Sequence, residues 1–277
     1  MEIEELIVCG WDEVFIYNMK AIKGGLPTIV WCWRAKDCAS LPEHMKSLFG
    51  TTDDCKPIDN GEKILITASS TGVAIVDKKS KEVSFYARVS NAHSAEVLPD
   101  NRIVVASSVK SEGHKILVFN RDKSDEVIIS EELSHAHGVL WDEKRNCLWA
   151  LGYTELRKYQ LQDWKSDSPK LNCDQIFQLP SQGGHDLLAL PDSEKLIITI
   201  EKGAFIFDRD TEDFSTYEPL ANQVNVKAIT FHPESKQMAY VQAEGDNWWA
   251  ENIHFENPDF LIHVPGEHFY KIRWNCR

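Results

Sequence analysis

The sequence predicts a single six-bladed β-propeller whose C-terminal strand completes its N-terminal blade. Three observations predict it. Short Val- and Ile-rich runs cut by turn residues recur along nearly the whole chain, an aligned strand start returns every forty-odd residues, and the two ends each carry part of one missing repeat.

The runs come first: Lys63-Ile-Leu-Ile-Thr-Ala, Val73-Ala-Ile-Val-Asp, Val83-Ser-Phe-Tyr-Ala, Ile103-Val-Val-Ala-Ser, Lys115-Ile-Leu-Val-Phe and Val127-Ile-Ile-Ser, with Gly, Asp, Lys and Ser between them. Helical periodicity is nearly absent, and four such strands per repeat is the pattern of a propeller blade. The register comes from the first strand of each unit. His93-Ser-Ala-Glu-Val-Leu-Pro-Asp, His137-Gly-Val-Leu-Trp-Asp-Glu, His185-Asp-Leu-Leu-Ala-Leu-Pro-Asp and Lys227-Ala-Ile-Thr-Phe-His-Pro-Glu align without gaps at separations of 44, 48 and 42 residues. Cys55-Lys-Pro-Ile-Asp-Asn-Gly, 38 residues before His93, is the weakest match and gives a fifth unit. The sixth is split: His268-Phe-Tyr-Lys-Ile-Arg-Trp, 41 residues after Lys227, reads as a first strand, while Leu6-Ile-Val-Cys-Gly-Trp, Val14-Phe-Ile-Tyr-Asn and Thr28-Ile-Val-Trp-Cys-Trp read as second, third and fourth strands. Joining them removes the open sheet edges. Blade one then runs from Gly266 to Trp274 and from Leu6 to Arg34. Ser40 and Gly50 bracket a short predicted helix in the connecting loop, with Ser40 as its N-cap.

Composition agrees with one compact domain over 1–277. Of the residues, 43% are hydrophobic, with 9 Trp, 12 Phe and 7 Tyr to fill cores between sheets, and no Pro/Gly/Ser-rich linker divides the chain. A net charge of −13 disfavours nucleic acid and anionic membrane surfaces as partners. No apolar stretch approaches a membrane span, and the opening Met1-Glu-Ile-Glu-Glu-Leu lacks a signal-peptide pattern, so the chain as it stands reads as cytoplasmic; a leader replaced by Met1 would make it secreted or periplasmic. Seven scattered cysteines without a C-x-x-C pair read as reduced thiols.

Over nearly its whole length the repeat resembles six-bladed propellers of the regucalcin/gluconolactonase and NHL-like kind in architecture. The Glu and paired Asn metal ligands of regucalcin-type lactonases have no counterpart here, and the Gly-His and Trp-Asp signatures of WD repeats are missing. The chain is accordingly similar to an uncharacterised bacterial propeller family, a likeness of fold that assigns no function.

First strands line the central channel of a propeller, so His93, His137, His185 and His268 are expected at equivalent places in four blades, with Lys227 in a fifth and Cys55 or its neighbour Asp54 in the sixth. His135, two residues before His137, projects to the same side. Imidazoles gathered on one axis can hold a transition metal or pair a base with an acid. The expected metal ligands are His93, His137, His185, His268 and Gln242, for a divalent Mn, Fe, Ni or Zn. The ammonium of Lys227 favours an anionic ligand such as a carboxylate or sugar acid. Loops after second strands open on the same mouth and bring Trp11, Tyr153 and Glu201; a longer acidic loop brings Trp248 and Trp249. Aromatic faces beside hydrogen-bonding groups suit sugar rings. His44, His114, His232, His254 and His263 are read as structural.

The absence of phosphate-loop, nucleophile-elbow and H-E-x-x-H motifs excludes the common nucleotide and serine-hydrolase chemistries. The chain is similar, in ligand type, to bacterial propeller lyases that act on uronate-containing sugars with histidines and a Gln on a divalent metal. That likeness implies a metal-assisted enzyme of the lyase, hydrolase or isomerase type, with Lys227 neutralising the substrate, His137 as base and Tyr270 as a further acid/base group beside His268. The alternative is a non-catalytic propeller that binds a ligand or a protein through a polar His-lined channel. Substrate and oligomeric state are left open.

Overall fold

A computed structural model describes residues 4–275, and over them the chain forms six four-stranded antiparallel sheets arranged as the blades of a propeller. Blade one joins β1 (Glu5–Gly10), β2 (Glu13–Lys23) and β3 (Leu26–Trp33) to β24 (Phe269–Trp274), in the order β24-β1-β2-β3. Blade two is β4 (Thr52–Ile58), β5 (Lys63–Ala68), β6 (Gly72–Asp77) and β7 (Val83–Arg88). Blade three is β8 (Ala92–Leu98), β9 (Arg102–Ser107), β10 (Lys115–Asn120) and β11 (Val127–Glu132). Blade four is β12 (Gly138–Asp142), β13 (Cys147–Leu151), β14 (Glu155–Gln162) and β15 (Lys170–Gln178). Blade five is β16 (Asp186–Ala189), β17 (Lys195–Ile200), β18 (Gly203–Asp208) and β19 (Phe214–Thr216). Blade six is β20 (Val226–Phe231), β21 (Met238–Gln242), β22 (Asn252–Glu256) and β23 (Phe260–His263). The predicted architecture and its closure by the last strand are what the fold shows.

Each blade is covered on both faces by its neighbours, which explains the unbroken apolar runs. In β5, Ile64 and Ile66 pack against blade one with Ile7, Val14 and Trp33, while Leu65 between them packs against blade three with Ile103, Val105 and Phe119. Six apolar cores result, one at each blade junction. The junction of blades six and one is as apolar as the others, with Phe15, Phe269, Ile272 and Trp274 against Ala228, Val241 and Phe255. Closure therefore buries a full interface and not only an edge.

The inner strands β4, β8, β12, β16, β20 and β24 stand side by side around the axis. Pro57 sits within β4, opposite Ile64, and is tolerated because an innermost strand is an edge with no partner on its channel side. The loop between blades one and two holds the only α-helix among the described residues, α1 (Glu43–Lys46), continued by a 3-10 turn at Ser47–Phe49. It is shorter than the segment Ser40 to Gly50, and Ser40 does not cap it. Pro42 occupies the N-cap, and the Ser40 hydroxyl instead accepts the Val83 N–H at 2.8 Å, tying the loop to β7.

Below the mouth the channel is filled by buried charge. Arg273 on β24 makes a two-pronged pair with Asp186 on β16 at 2.7 and 2.8 Å, and its Nε donates to Asp54 on β4 at 3.0 Å. Lys271, wholly buried, lies 3.3 Å from Asp186, 3.8 Å from Asp54, and donates to the His93 carbonyl at 3.2 Å. Ser94 donates to the other oxygen of Asp54, and Asp186 also accepts the Ile229 N–H. Blades one, two, three, five and six are thereby cross-linked at the axis. Burial alone would raise the Asp54 and Asp186 carboxyls, but Arg273 and Lys271 outweigh it and hold both below the usual range.

Removing one member of such a cluster strands an opposite charge in a dry interior, at a cost of roughly 3–5 kcal/mol. Arg273→Met is expected to lower the urea unfolding free energy by about that amount. Asp186→Asn added to it should cost much less than the two changes measured separately, because both delete the same pair; additive losses in the double-mutant cycle would show that the cluster does not act as a unit.

Candidate functional site

The upper end of every inner strand begins with the same irregularity. In β4, β8, β20 and β24 one residue is inserted into the ladder with the second strand: Asp53 between Thr52 and Asp54, His93 between Ala92 and Ser94, Lys227 between Val226 and Ala228, and Tyr270 between Phe269 and Lys271. In blades four and five the N–H groups of His137 and His185 bond back to Leu151 and Thr199, which already pair with the next residues, Gly138 and Asp186. A β-bulge re-aims the side chain it inserts. Six bulges around one axis turn Asp53, His93, His137, His185, Lys227 and Tyr270 into a ring at the mouth.

Neighbouring members approach one another from Asp53 through the three histidines to Lys227. His93 Nδ1 lies 3.6 Å from Asp53 Oδ2. The His93 and His137 rings meet edge to face at 4.3 Å between centroids, His137 and His185 at 5.6 Å, and His93 and Tyr270 at 6.1 Å. Lys227 Nζ donates to His185 Nε2 at 3.0 Å, and His137 Nδ1 donates to the His135 carbonyl at 2.8 Å with the Ser108 hydroxyl at 3.1 Å. Three buried ring atoms have no hydrogen-bond partner: Asp53 Oδ2, His93 Nδ1 and His185 Nδ1.

Burial sets the charges. It pushes His137 down to about 3 despite the favourable His135 carbonyl, and holds His93 and His185 well below the ordinary histidine range; Lys271 beneath the ring adds to all three, as do neighbouring imidazoles and, for His137 and His185, Lys227. Burial brings Lys227 down to about 8, with Glu201 pulling it back up. Burial pushes the Asp53 carboxyl up to about 8 against the pull of Lys271 and of hydrogen bonds from Ser69. Near neutrality the ring is thus three neutral imidazoles, an un-ionised carboxyl, an un-ionised phenol and one ammonium.

Above the ring stands an aromatic wall. Trp11 and Trp248, each more than a third exposed, stack at 5.8 Å with an interplanar angle of 14°, and Trp248 meets Tyr270 edge on at 5.4 Å. Trp11 sits at a φ of 52°, a strained backbone for a bulky side chain, and its carbonyl accepts the Thr52 N–H at 2.6 Å. Gly10 beside it is obligatory, because a Cβ there would stand 2.3 Å from the His268 carbonyl oxygen.

His268 does not take the ring position; Tyr270 does. The His268 imidazole is stacked on Trp11 at 4.4 Å and capped by Trp249 at 3.9 Å, so Trp249 supports the wall from behind. The sixth place belongs to Asp53, not to Cys55, whose thiol packs in the core between blades one and two, and not to Asp54, which is bound to Arg273. Gln242 donates its side-chain amide to the Val224 carbonyl. Glu201 lies at the rim near Lys227, with Gln182 at 3.5 Å. Tyr153 packs on His135, which packs on His114, whose Nδ1 accepts the His135 N–H. His135 and His114 thus hold the carbonyl that orients His137, and His114 has a part in the mouth that its turn-like surroundings conceal.

The donor set does not suit a metal. Among the described residues no three His, Cys, Asp or Glu side chains stand where they could hold one ion together. His185 Nε2 faces an ammonium, and His137 Nδ1 is spent on a carbonyl. Six cysteines, at 9, 32, 38, 55, 147 and 173, are free thiols; Cys276 and Met1 lie outside the described residues. No helix among the described residues is long and apolar enough to cross a membrane.

A protein-family model described as a family of unknown function, DUF6528, matches residues 24–277. No curated protein matches the chain.

The buried neutral imidazoles make a pH prediction. Unfolded histidines take up protons near 6.5, whereas His93, His137 and His185 resist them, so each withdraws about 1.4 kcal/mol of stability per pH unit below that value. Asp53 acts oppositely, since the folded chain keeps a proton that the unfolded one releases above about 4. Urea unfolding at pH 7, 6 and 5 should show stability falling toward acid with a net slope near two protons. A flat profile would mean that the imidazoles are not held neutral.

Proposed function

The chain belongs to DUF6528, and from the geometry of the mouth we propose that it is an enzyme that takes a sugar-acid-like small molecule there and moves a proton on it. The observation that carries this reading is the lone ammonium of Lys227, seated 3.0 Å from His185 Nε2 in a ring of otherwise uncharged groups, with a tryptophan wall beside it. A carboxylate arriving there meets one ammonium in the ring, with Glu201 at the rim as the neighbouring anion, in surroundings where the attraction is weakly screened. The exposed indoles of Trp11 and Trp248 suit the C–H face of a sugar ring.

Proton transfer falls to Lys227 in its free-amine form, after the resting ammonium has given up its proton. A base works best when its affinity for protons lies near the working pH, and burial has brought this lysine down to about 8. His137 is less suited, since burial keeps it from accepting a proton near neutrality and its Nδ1–H is committed to the His135 carbonyl. His137 and Ser108 are therefore positioning residues that fix the wall of the basin opposite Tyr270. The reaction class stays within lyase, hydrolase or isomerase chemistry, and no step runs through a metal.

D-galacturonate, followed by calorimetry and by tryptophan fluorescence, tests the reading. Binding should quench Trp11 and Trp248. Lys227→Met should weaken the affinity roughly 10- to 100-fold, as expected for loss of one charge-assisted hydrogen bond. Unchanged affinity in that variant, or no binding by the unaltered protein, would overturn the assignment.

A further inference from the structure

Resting on the assignment of the mouth to a sugar acid, we propose that a second aromatic platform, Tyr153 with His135, faces the tryptophan wall across the ring. The ligand is then a two-ring glycoside, with an acid ring on the Trp11 side near Lys227 and a neutral ring on Tyr153. The inner strands follow one another around the axis in chain order, so blades one and four stand opposite. Their turns between second and third strands are built alike. Gly10-Trp11-Asp12 joins β1 to β2 and Gly152-Tyr153-Thr154 joins β13 to β14, while the corresponding turns of blades two, three and five carry no Trp, Tyr or Phe.

The likeness extends to side chains and backbone. Trp11 stacks on His268 at 4.4 Å between centroids, and Tyr153 packs on His135 at 4.6 Å. Each of these histidines lies two residues before its blade's ring member, Tyr270 or His137. Each turn is fastened to the start of the next blade: the Trp11 carbonyl accepts the Thr52 N–H at 2.6 Å, and the Tyr153 carbonyl accepts the Gly183 N–H at 2.7 Å. Gly152 is obligatory as Gly10 is, since a Cβ there would stand 2.9 Å from the Ser134 carbonyl oxygen and 2.7 Å from Leu133 Cδ1. The place of His135 is left-handed in three other blades too, where it is filled by Asn91, Gly183 and Asn225; blade four alone of these puts an aromatic ring there, at a φ of 48°. Tyr153, His135 and His114, packed one on the next, are only half-buried.

One platform holds one sugar ring by its C–H face, and two on opposite sides of a polar ring hold two. Charge decides which ring goes where. Lys227 is carried by blade six, as Trp248 is, so the carboxylate belongs on that side. Beside Tyr153 the charge has the opposite sign. A Cβ on Gly183, whose N–H is bound to the Tyr153 carbonyl, would stand 2.3 Å from Glu201 Cγ and 2.9 Å from its Oε1, so the Glu201 carboxylate lies against that segment. A second uronate would meet it as like charge to like charge, whereas the hydroxyls of a neutral ring meet an acceptor.

Calorimetry tests this with D-galacturonate, galacturonosyl-glucose linked as in lactose, lactose itself as its uncharged counterpart, and digalacturonate. Galacturonosyl-glucose should bind about tenfold more tightly than D-galacturonate, as expected for one further stacked ring, and more tightly than digalacturonate. Tyr153→Ala should bring galacturonosyl-glucose and D-galacturonate to equal affinity, and Tyr153→Phe should keep the difference. Equal affinities for these two acids in the unaltered protein would overturn the second platform while the sugar-acid assignment stands, and that comparison needs no variant. A difference that survives Tyr153→Ala would overturn it as well. Digalacturonate binding as tightly as galacturonosyl-glucose would overturn the neutral second ring. Binding of lactose in place of every acid would keep the two platforms and sink the acid assignment, and binding of no probe would sink both.

Discussion

The pair between Arg273 and Asp186, extended to Asp54 and Lys271, is the interaction on which the rest of the molecule depends. Apolar packing at the blade junctions supplies most of the cohesion, but it is nearly uniform around the ring and does not say which strand belongs in the last place. Two cations on one strand, met by carboxylates from blades two and five, do. An alternative pairing of β24 would bury those charges without partners, an expense far above that of a misplaced valine. The same cluster lies directly beneath the ring at the mouth. Lys271, held there by the carboxylates, pushes His93, His137 and His185 toward their neutral forms and draws Asp53 the other way.

Repetition and variety meet at the bulges. The backbone presents an equivalent position six times, and the sequence fills it with a carboxyl, three imidazoles, an ammonium and a phenol. Each is carried by a strand packed on both sides, so the ring is rigid without relying on loops, and the loops above it are tied back to the strand starts by backbone bonds such as Thr52 to Trp11, Ser108 to Asn91 and Asn225 to Glu201. The Trp11 and Trp248 faces are the most exposed part of the arrangement and the part best placed to meet an incoming ligand.

The blade count and the closure were legible in the sequence because strands buried on both faces leave unbroken apolar runs, and those survive any local irregularity. Three of the four histidines aligned with their true equivalents for the same reason. The fourth did not, since the eye matches His268 to His185 by residue type, whereas the ladder matches Tyr270: Lys271 pairs with Cys9 as Asp54 pairs with Thr67. A signal was present in Lys271 and Arg273, two charges at alternate positions of a strand otherwise made of Phe, Tyr, Ile and Trp. Asp53 was harder to find. Nothing in Thr-Thr-Asp-Asp-Cys distinguishes a buried neutral carboxyl from a loop acid, because its protonation is set first by burial in the closed ring and only then by Lys271, Ser69 and the neighbouring Asp54. Ser40 misled for a local reason, since a hydroxyl that can cap a helix can equally accept from a neighbouring strand.

The residues that seal the circle have a temporal meaning as well. Tyr270, Lys271 and Arg273 leave the ribosome after the other five blades, so a nascent chain holds Asp54 and Asp186 without counter-charges and a ring one member short. A chain that stopped before β24 would therefore be marked twice, by an exposed flank on blade six and by unneutralised acids at the axis. Addition of β24, closure of the propeller and completion of the ring at the mouth are in this molecule one event.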